Sequence, residues 1–238
     1  MIPGPYQIIS CQYCEGLAKY RTLTSGNTLR ATFWSDGKNV SPMLPQPPIV
    51  VKCQHCEKCY WLADAEKVGT VDLWAEEEQK VNPEWAAVKQ VKEPTEDEYY
   101  SAIEANLAKD GGQEKILRVL AWWRRNDAFR DVRRTTGEVM VSVSGACGDN
   151  LEALLKLIDQ EKDEDRIMKG EILRELGQFD AAKQVLGSVS SDQYSFVVRQ
   201  SLSLCANEDN RVFGYTLVPR KTTWAKRILN IMKRRKDS

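Results

Sequence analysis

The sequence predicts an α+β protein, with a small β-rich amino-terminal domain followed by an all-α domain. Three observations predict it. Two near-identical turns, Cys11-Gln-Tyr-Cys14-Glu15 and Cys53-Gln-His-Cys56-Glu57, each follow a short β-prone run. The residues between them alternate polar and apolar side chains or carry turn signals. Beyond Thr95, apolar residues recur at helical spacing between caps and breakers. The 238 residues suffice for one large or two modest domains with a buried core. The expected division is a head over 1–70, an acidic connector with a helix over 71–112, a helical body over 113–207 and a basic tail over 208–238.

In the head, Ile8 to Ser10 and Ile49 to Lys52 are the β-prone runs before the turns. Ala18 to Thr24 alternates and reads as a strand, and Leu29 to Trp34 as another. Ser25-Gly26-Asn27 and Ser35-Asp36-Gly37-Lys38 are turn signals. Pro42 to Pro48 is stiff and extended, with few backbone donors. Tyr60 to Leu62 continues the chain after the second turn.

Two cysteines three apart can place both sulfurs on one ion, while turn N–H groups support the thiolates. Two such turns complete a tetrahedron without a large core. The expected ligands are Cys11, Cys14, Cys53 and Cys56. Cys56 and Cys59 also form a C-x-x-C, so Cys59 is an alternative ligand. Aligning the two turns places Cys59 opposite Leu17, a strand position beyond the turn. His55, the single histidine, lies between ligands and reads as an exposed turn residue. Four thiolates leave no open position for water, so the expected cofactor is one structural Zn2+ per chain. A redox C-x-x-C would open a helix in a βαβ unit, and no such unit is legible here.

These turns resemble the zinc ribbon family, in which two C-x-x-C knuckles at the tips of β-hairpins share one zinc. The resemblance covers about the first quarter of the chain. The 38 residues between Cys14 and Cys53 imply an elaborated hairpin between the knuckles.

From Asp72 to Glu98 nine acidic residues stand against three lysines, which reads as a solvated surface. Leu73, Trp74, Trp85 and Val88 are placed to pack back on the head. Thr95 and Glu98 fit a capping box, and the helix they open is expected to reach about Ala108, with Tyr99, Ile103 and Leu107 on one face. Asp110-Gly111-Gly112 reads as its stop. A strong helix is expected from Glu114 to about Arg130, burying Ile116, Leu117, Leu120, Trp123 and, at its end, Phe129. Around Trp122 and Trp123 stand Arg118, Arg124, Arg125, Arg130, Arg133 and Arg134. Aromatics among arginines can stack bases, so Trp122, Arg124 and Arg125 are candidate partner or nucleic-acid contacts. Arginine stems laid over buried tryptophan produce the same pattern. Residues 138–144 alternate as a short strand or extended loop.

Helices follow from Asn150 to Ile158, Asp163 to Leu176, Gln178 to about Val189 and Gln193 to about Ala206. Cys147 and Cys205 read as small buried residues. Gly170, the Gly177 turn, Phe179, Ala182 and Leu186 resemble one tetratricopeptide repeat, which implies a helical hairpin of a repeat-like domain. Arg166 and Lys169 occupy the usual tryptophan and leucine positions, and the terminal proline is missing. An ordinary helical hairpin satisfies the same pattern.

Val212 to Val218 reads as extended. The last helix expected in the tail carries Trp224, Ile228, Ile231 and Met232 on one side, among Lys226, Arg227, Lys233, Arg234, Arg235 and Lys236. Such a face can grip phosphates, lie on an anionic membrane or dock on a partner, so Trp224, Lys226, Arg227, Lys233, Arg234 and Arg235 are further candidate contacts. It can equally pack on the body. Over 218–238 eight basic residues stand against one acidic residue, while the whole chain balances at zero. That balance removes a global electrostatic argument for nucleic acid.

The residues from Met1 to Tyr6 lack the regions of a secretory leader, and no apolar run reaches a membrane span. With four of seven cysteines in C-x-x-C turns, a cytoplasmic protein is expected. No Ser/His or Cys/His constellation is legible, and carboxylates such as Glu171 and Glu175 carry no distinguishing motif. The expectation is a non-enzymatic zinc-binding interaction or scaffold protein with protein partners. The alternatives are a nucleic-acid-binding zinc-ribbon protein and a peripheral membrane protein docked by its tail.

Overall fold

Strand β1 (Ile2–Ser10) pairs antiparallel with β2 (Leu17–Ser25) on one side and β7 (Glu66–Val71) on the other, in the order β2-β1-β7. The structure is a computed structural model that describes residues 1–72, 83–130, 142–159 and 161–216. β1 starts well before the Ile8–Ser10 run, through Pro3 and Pro5. Its register with β2 shifts around Pro3, where a ring without an N–H can be accommodated.

A second hairpin pairs β5 (Val50–Lys52) with β6 (Cys59–Trp61). A third sheet holds β3 (Thr32–Trp34), β4 (Asn39–Val40) and, from the far end of the described chain, β8 (Gly214–Tyr215). Gly37 takes φ 84° in the β3–β4 turn, a conformation suited to glycine. The strand expected over Leu29 to Trp34 is shorter. Ala31 N–H donates to the Thr28 carbonyl at 3.0 Å and Arg30 has φ 61°, so the chain turns first.

Helix α1 (Pro83–Ala87) seats Trp85 on β7. A Cβ on Gly69 would come within 2.4 Å of the Trp85 ring, so only glycine permits this approach. Residues 89–92 then run between the first two hairpins. Lys19 N–H donates to the Lys89 carbonyl at 3.0 Å, Val91 N–H to the Lys19 carbonyl at 2.8 Å, and Lys52 N–H to the Lys92 carbonyl at 2.8 Å. This part of the acidic connector is therefore bonded to β2 and β5 at once. The buried Lys19 ammonium donates to the Ala86 carbonyl at 2.6 Å and lies over the Tyr6 ring.

Helix α2 (Glu96–Glu104) opens on the Thr95–Glu98 capping box, with both reciprocal bonds present. It ends short of Ala108, because Asn106 adopts φ 55°. Asp110 does not stop a helix but starts one. Its carboxylate accepts the Gln113 N–H at 2.8 Å, and Gly111 and Gly112 form the first turn of α3 (Gly111–Arg130). Helix α4 (Ala146–Lys156) likewise begins before Asn150, immediately after Gly145 at φ 60°. Then come α5 (Asp163–Glu175), α6 (Phe179–Gly187) and α7 (Ser195–Ala206).

The apolar clusters run from hairpin to helix. Val50 and Trp61 pack with Tyr99, Leu117, Leu120 and Ala121, joining β5 and β6 to α2 and α3. Trp122 packs with Cys147, Leu151, Leu154 and Ile172, and Leu173 with Ala182, Leu186 and Cys205. Each fully buried leucine or isoleucine contributes about 1.5–3 kcal/mol. In the α5–α6 hairpin Gly177 takes φ 74° at the turn, and a Cβ on Gly170 would come within 2.5 Å of Leu186. The protein is α+β. Leu73, Trp74, Arg133, Arg134, most of the 138–144 run and the expected tail helix lie outside the described residues.

Candidate metal centre

The two cysteine turns are built alike. In the first, Cys11 N–H donates to the Gly16 carbonyl at 3.0 Å and Glu15 N–H to the Cys11 carbonyl at 2.8 Å. In the second, Cys53 N–H donates to the Lys58 carbonyl at 3.0 Å and Glu57 N–H to the Cys53 carbonyl at 3.0 Å. Glu15 and Glu57 hold the left-handed position of their turns, at φ 59° and 61°. The flanking strand pairs also correspond, Ser10 opposite Leu17 and Lys52 opposite Cys59. Each turn thus closes the tip of a hairpin.

The hairpin tips face each other and bring four sulfurs together. All four Sγ atoms of Cys11, Cys14, Cys53 and Cys56 lie within 4.8 Å of one another. Across the tips, Cys11 and Cys56 sulfurs are 3.8 Å apart and those of Cys14 and Cys53 are 3.6 Å apart. Sulfurs of a tetrahedral site with Zn–S bonds of about 2.3 Å stand about 3.8 Å apart. The donor set and its spacing fit such an ion. Tyr13 N–H points to the Cys11 sulfur at 3.5 Å, and His55 and Cys56 N–H groups point to the Cys53 sulfur at 3.3 and 3.5 Å. These amides favour thiolate over thiol.

The thiols alone share negative charge unevenly. Burial pushes Cys11 up to about 12, against the amides of Tyr13 and Cys14. Burial also opposes ionisation of Cys53, but the amides of Cys56 and His55 and the sulfurs of Cys14 and Cys11 bring it down to about 7. A bound divalent cation would let all four ionise together.

The residue just before the second cysteine of each turn lies against the opposite turn. The His55 ring lies on Gly16, with Nε2 3.3 Å from the Leu17 carbonyl. At the equivalent place, the Lys58 ammonium sits 5.0 Å from the Tyr13 ring centre. Cys59 stands apart from the cluster. Its thiol reaches the Glu98 carbonyl at 3.9 Å, and burial together with the Glu98 charge raises it to about 11. Cys59 and Trp61 instead line a cleft of about 580 Å³ between the second hairpin and α2, with Lys52, Glu98, Ser101 and Leu107.

The remaining candidate contacts are placed differently from one another. Trp122 is wholly buried, its indole N–H donating to Glu175 at 2.8 Å, so it offers no face for a base and drops out as a surface contact. Burying it satisfies both its apolar ring and its N–H. Arg124 is half-exposed, 3.5 Å from Asp127 and 4.0 Å from Glu93. Arg125 donates to the Ser142 carbonyl at 2.6 Å. Trp224, Lys226, Arg227, Lys233, Arg234 and Arg235 lie outside the described residues. Among the described residues, no helix is long and apolar enough to cross a membrane.

The fold also assembles a buried charged cluster that no motif announces. Asp36, Asn126, Arg130, Glu171, Arg174 and Glu175 come from the β3–β4 turn, α3 and α5. A helical pattern places charged residues on solvated faces by default, so their burial is decided by what packs over them.

Fold and site together define the class: an α+β protein with four cysteines clustered within metal-binding distance. Comparison with protein-family models, with curated proteins and with solved structures returned no match.

Proposed function

We propose that this chain is a non-enzymatic zinc-binding protein that presents rigid surfaces to protein partners. The reading is carried by the four-cysteine cluster at the tips of two hairpins, with cross-tip sulfurs at 3.6 and 3.8 Å. Paired knuckles on hairpin tips are the arrangement that the zinc ribbon resemblance implies. The preferred ion is Zn2+, because thiolate donors in tetrahedral array suit it. Four protein ligands close its shell, which supports a structural role. The repeat-like hairpin of α5 and α6 and the cleft beside Cys59 are the surfaces offered for docking. Elemental analysis of the purified protein should find about one zinc per chain. Native co-purification followed by mass spectrometry should recover a specific partner, and recovery of none would count against the interaction role.

A further inference from the structure

Among the described residues, the buried cluster holds more acids than bases. Asp36, Glu171 and Glu175 are 1, 1 and 4% exposed. The guanidiniums that face them are those of Arg130 and Arg174, whose side chains are 6 and 0% exposed. Arg130 grips Asp36 with two bonds, at 2.6 and 3.2 Å. Arg174 Nε donates to Glu171 at 3.0 Å, with a second bond from Nη2. Both cations are thereby engaged. Glu175 is met by neutral donors, the Trp122 indole at 2.8 Å and the Asn126 amide at 3.1 Å. The same amide nitrogen reaches Asp36 at 3.0 Å, which brings two carboxyl groups onto one donor. A third ionised carboxylate is strongly disfavoured in such a site.

This is also where distant parts of the chain are fastened. The Ser35 hydroxyl donates to Glu171. Ser35 N–H donates to the Phe213 carbonyl at 2.9 Å, and Phe213 N–H returns to the Ser35 hydroxyl at 3.1 Å. Arg174 holds the Asp209 carbonyl, and the Asn210 amide donates to the Glu175 carbonyl at 3.0 Å. The Trp123 indole donates to the Asp36 carbonyl at 2.9 Å.

We propose that this cluster is a proton-dependent clasp: Glu175 carries a proton while the 35–36 turn and the 209–213 segment are seated on α3 and α5, and loss of that proton as pH rises releases them. Burial, and then the charges of Glu171 and Asp36, push the Glu175 carboxyl up to about 8, against the Trp122 hydrogen bond and the nearby Arg174 charge. Among the described residues, the other charged or titratable groups around the cluster are Arg130 with Asp127 and Lys38 at its rim, Arg174, Asp209 paired with Arg211, the Tyr215 phenol on β8, which burial and the Glu171 charge raise, and the thiols of Cys147 on α4 and Cys205 on α7. Those thiols are raised by burial, Cys147 to about 11, and stay protonated where Glu175 titrates.

A released Glu175 ionises near the ordinary 4.5, and a seated one near 8. Seating is strongest below the lower value and weakens as pH rises through the interval. It levels off above the upper one. The release equilibrium therefore rises about tenfold per pH unit within the interval.

Hydrogen exchange of the full-length protein tests this, read as protection factors of the Ser35 and Phe213 amides from pH 5.5 to 9. Protection should fall by up to about tenfold per unit and flatten above about pH 8. Glu175→Gln should remove the slope. Flat protection in the wild type, or an unchanged slope in Glu175→Gln, overturns the clasp. Should that variant fail to fold, the carbon-13 titration of the wild-type Glu175 carboxyl decides instead. A midpoint above pH 6 supports the proposal, and ionisation near the ordinary carboxyl value overturns it.

Discussion

The imidazole of His55 lies across Gly16 so closely that a Cβ on Gly16 would come within 2.4 Å of the ring. At the corresponding positions with the two turns exchanged, the Lys58 ammonium lies over the Tyr13 ring. The hairpin tips are thus fitted to each other as well as offered to one ion. Gly16→Ala should force the tips apart and cost about 1–3 kcal/mol in urea unfolding. Adding His55→Ala should recover most of the loss. Equal losses with and without His55 would show that the ring is not what Gly16 accommodates.

The ligand set makes a second prediction. Cys14→Ser should lower bound zinc from about one per chain to near zero, and Cys59→Ser should leave it unchanged. A strong chelator should lower the unfolding temperature of the wild type and scarcely affect Cys14→Ser, because metal binding and folding of the hairpin tips are linked. Elemental analysis and thermal scans read both. Zinc retained in Cys14→Ser but lost in Cys59→Ser would reverse the assignment.

Helix α2 is anchored to the second hairpin through Glu98. The Lys52 hydrogen bond, and then the Thr95 N–H, hold its carboxyl below the ordinary 4.5. A depressed carboxyl contributes stability that is present above its unfolded value and is lost as pH falls through the folded one. The stability gap between wild type and Glu98→Gln should therefore narrow between pH 6 and pH 3. A constant gap over that range would exclude the ionised form as the source. Thr95→Ala, which removes the other half of the capping box, should cost about 1 kcal/mol.

In the helical hairpin, Leu186→Ala should cost about 2–5 kcal/mol by leaving a cavity. Gly170→Ala should cost about 1–3 kcal/mol by overpacking against Leu186. The double variant should cost less than the sum, since the new methyl enters space the leucine vacated. Strict additivity in a double-mutant cycle would mean that the two side chains do not meet.

Local features were legible because neighbouring residues define them. The repeated C-Q-x-C-E marks both turns, and the Thr95–Glu98 capping box shows the start of α2. Asp110-Gly111-Gly112 reads as a stop because glycine lowers helix propensity, but the Asp110 cap and the packing of Leu117 and Leu120 outweigh that cost.

By itself the sequence determined the paired turns, the alternation of the head and the helical periods after Thr95, all set by contacts a few residues apart. Only the tertiary structure decided that β3 pairs with β8, that residues 89–92 join two hairpins, and that Asp36, Glu171 and Glu175 are interior. The physical reason is that a strand edge or a carboxylate carries no local mark of its partner. Its burial depends on which distant donors arrive to satisfy it.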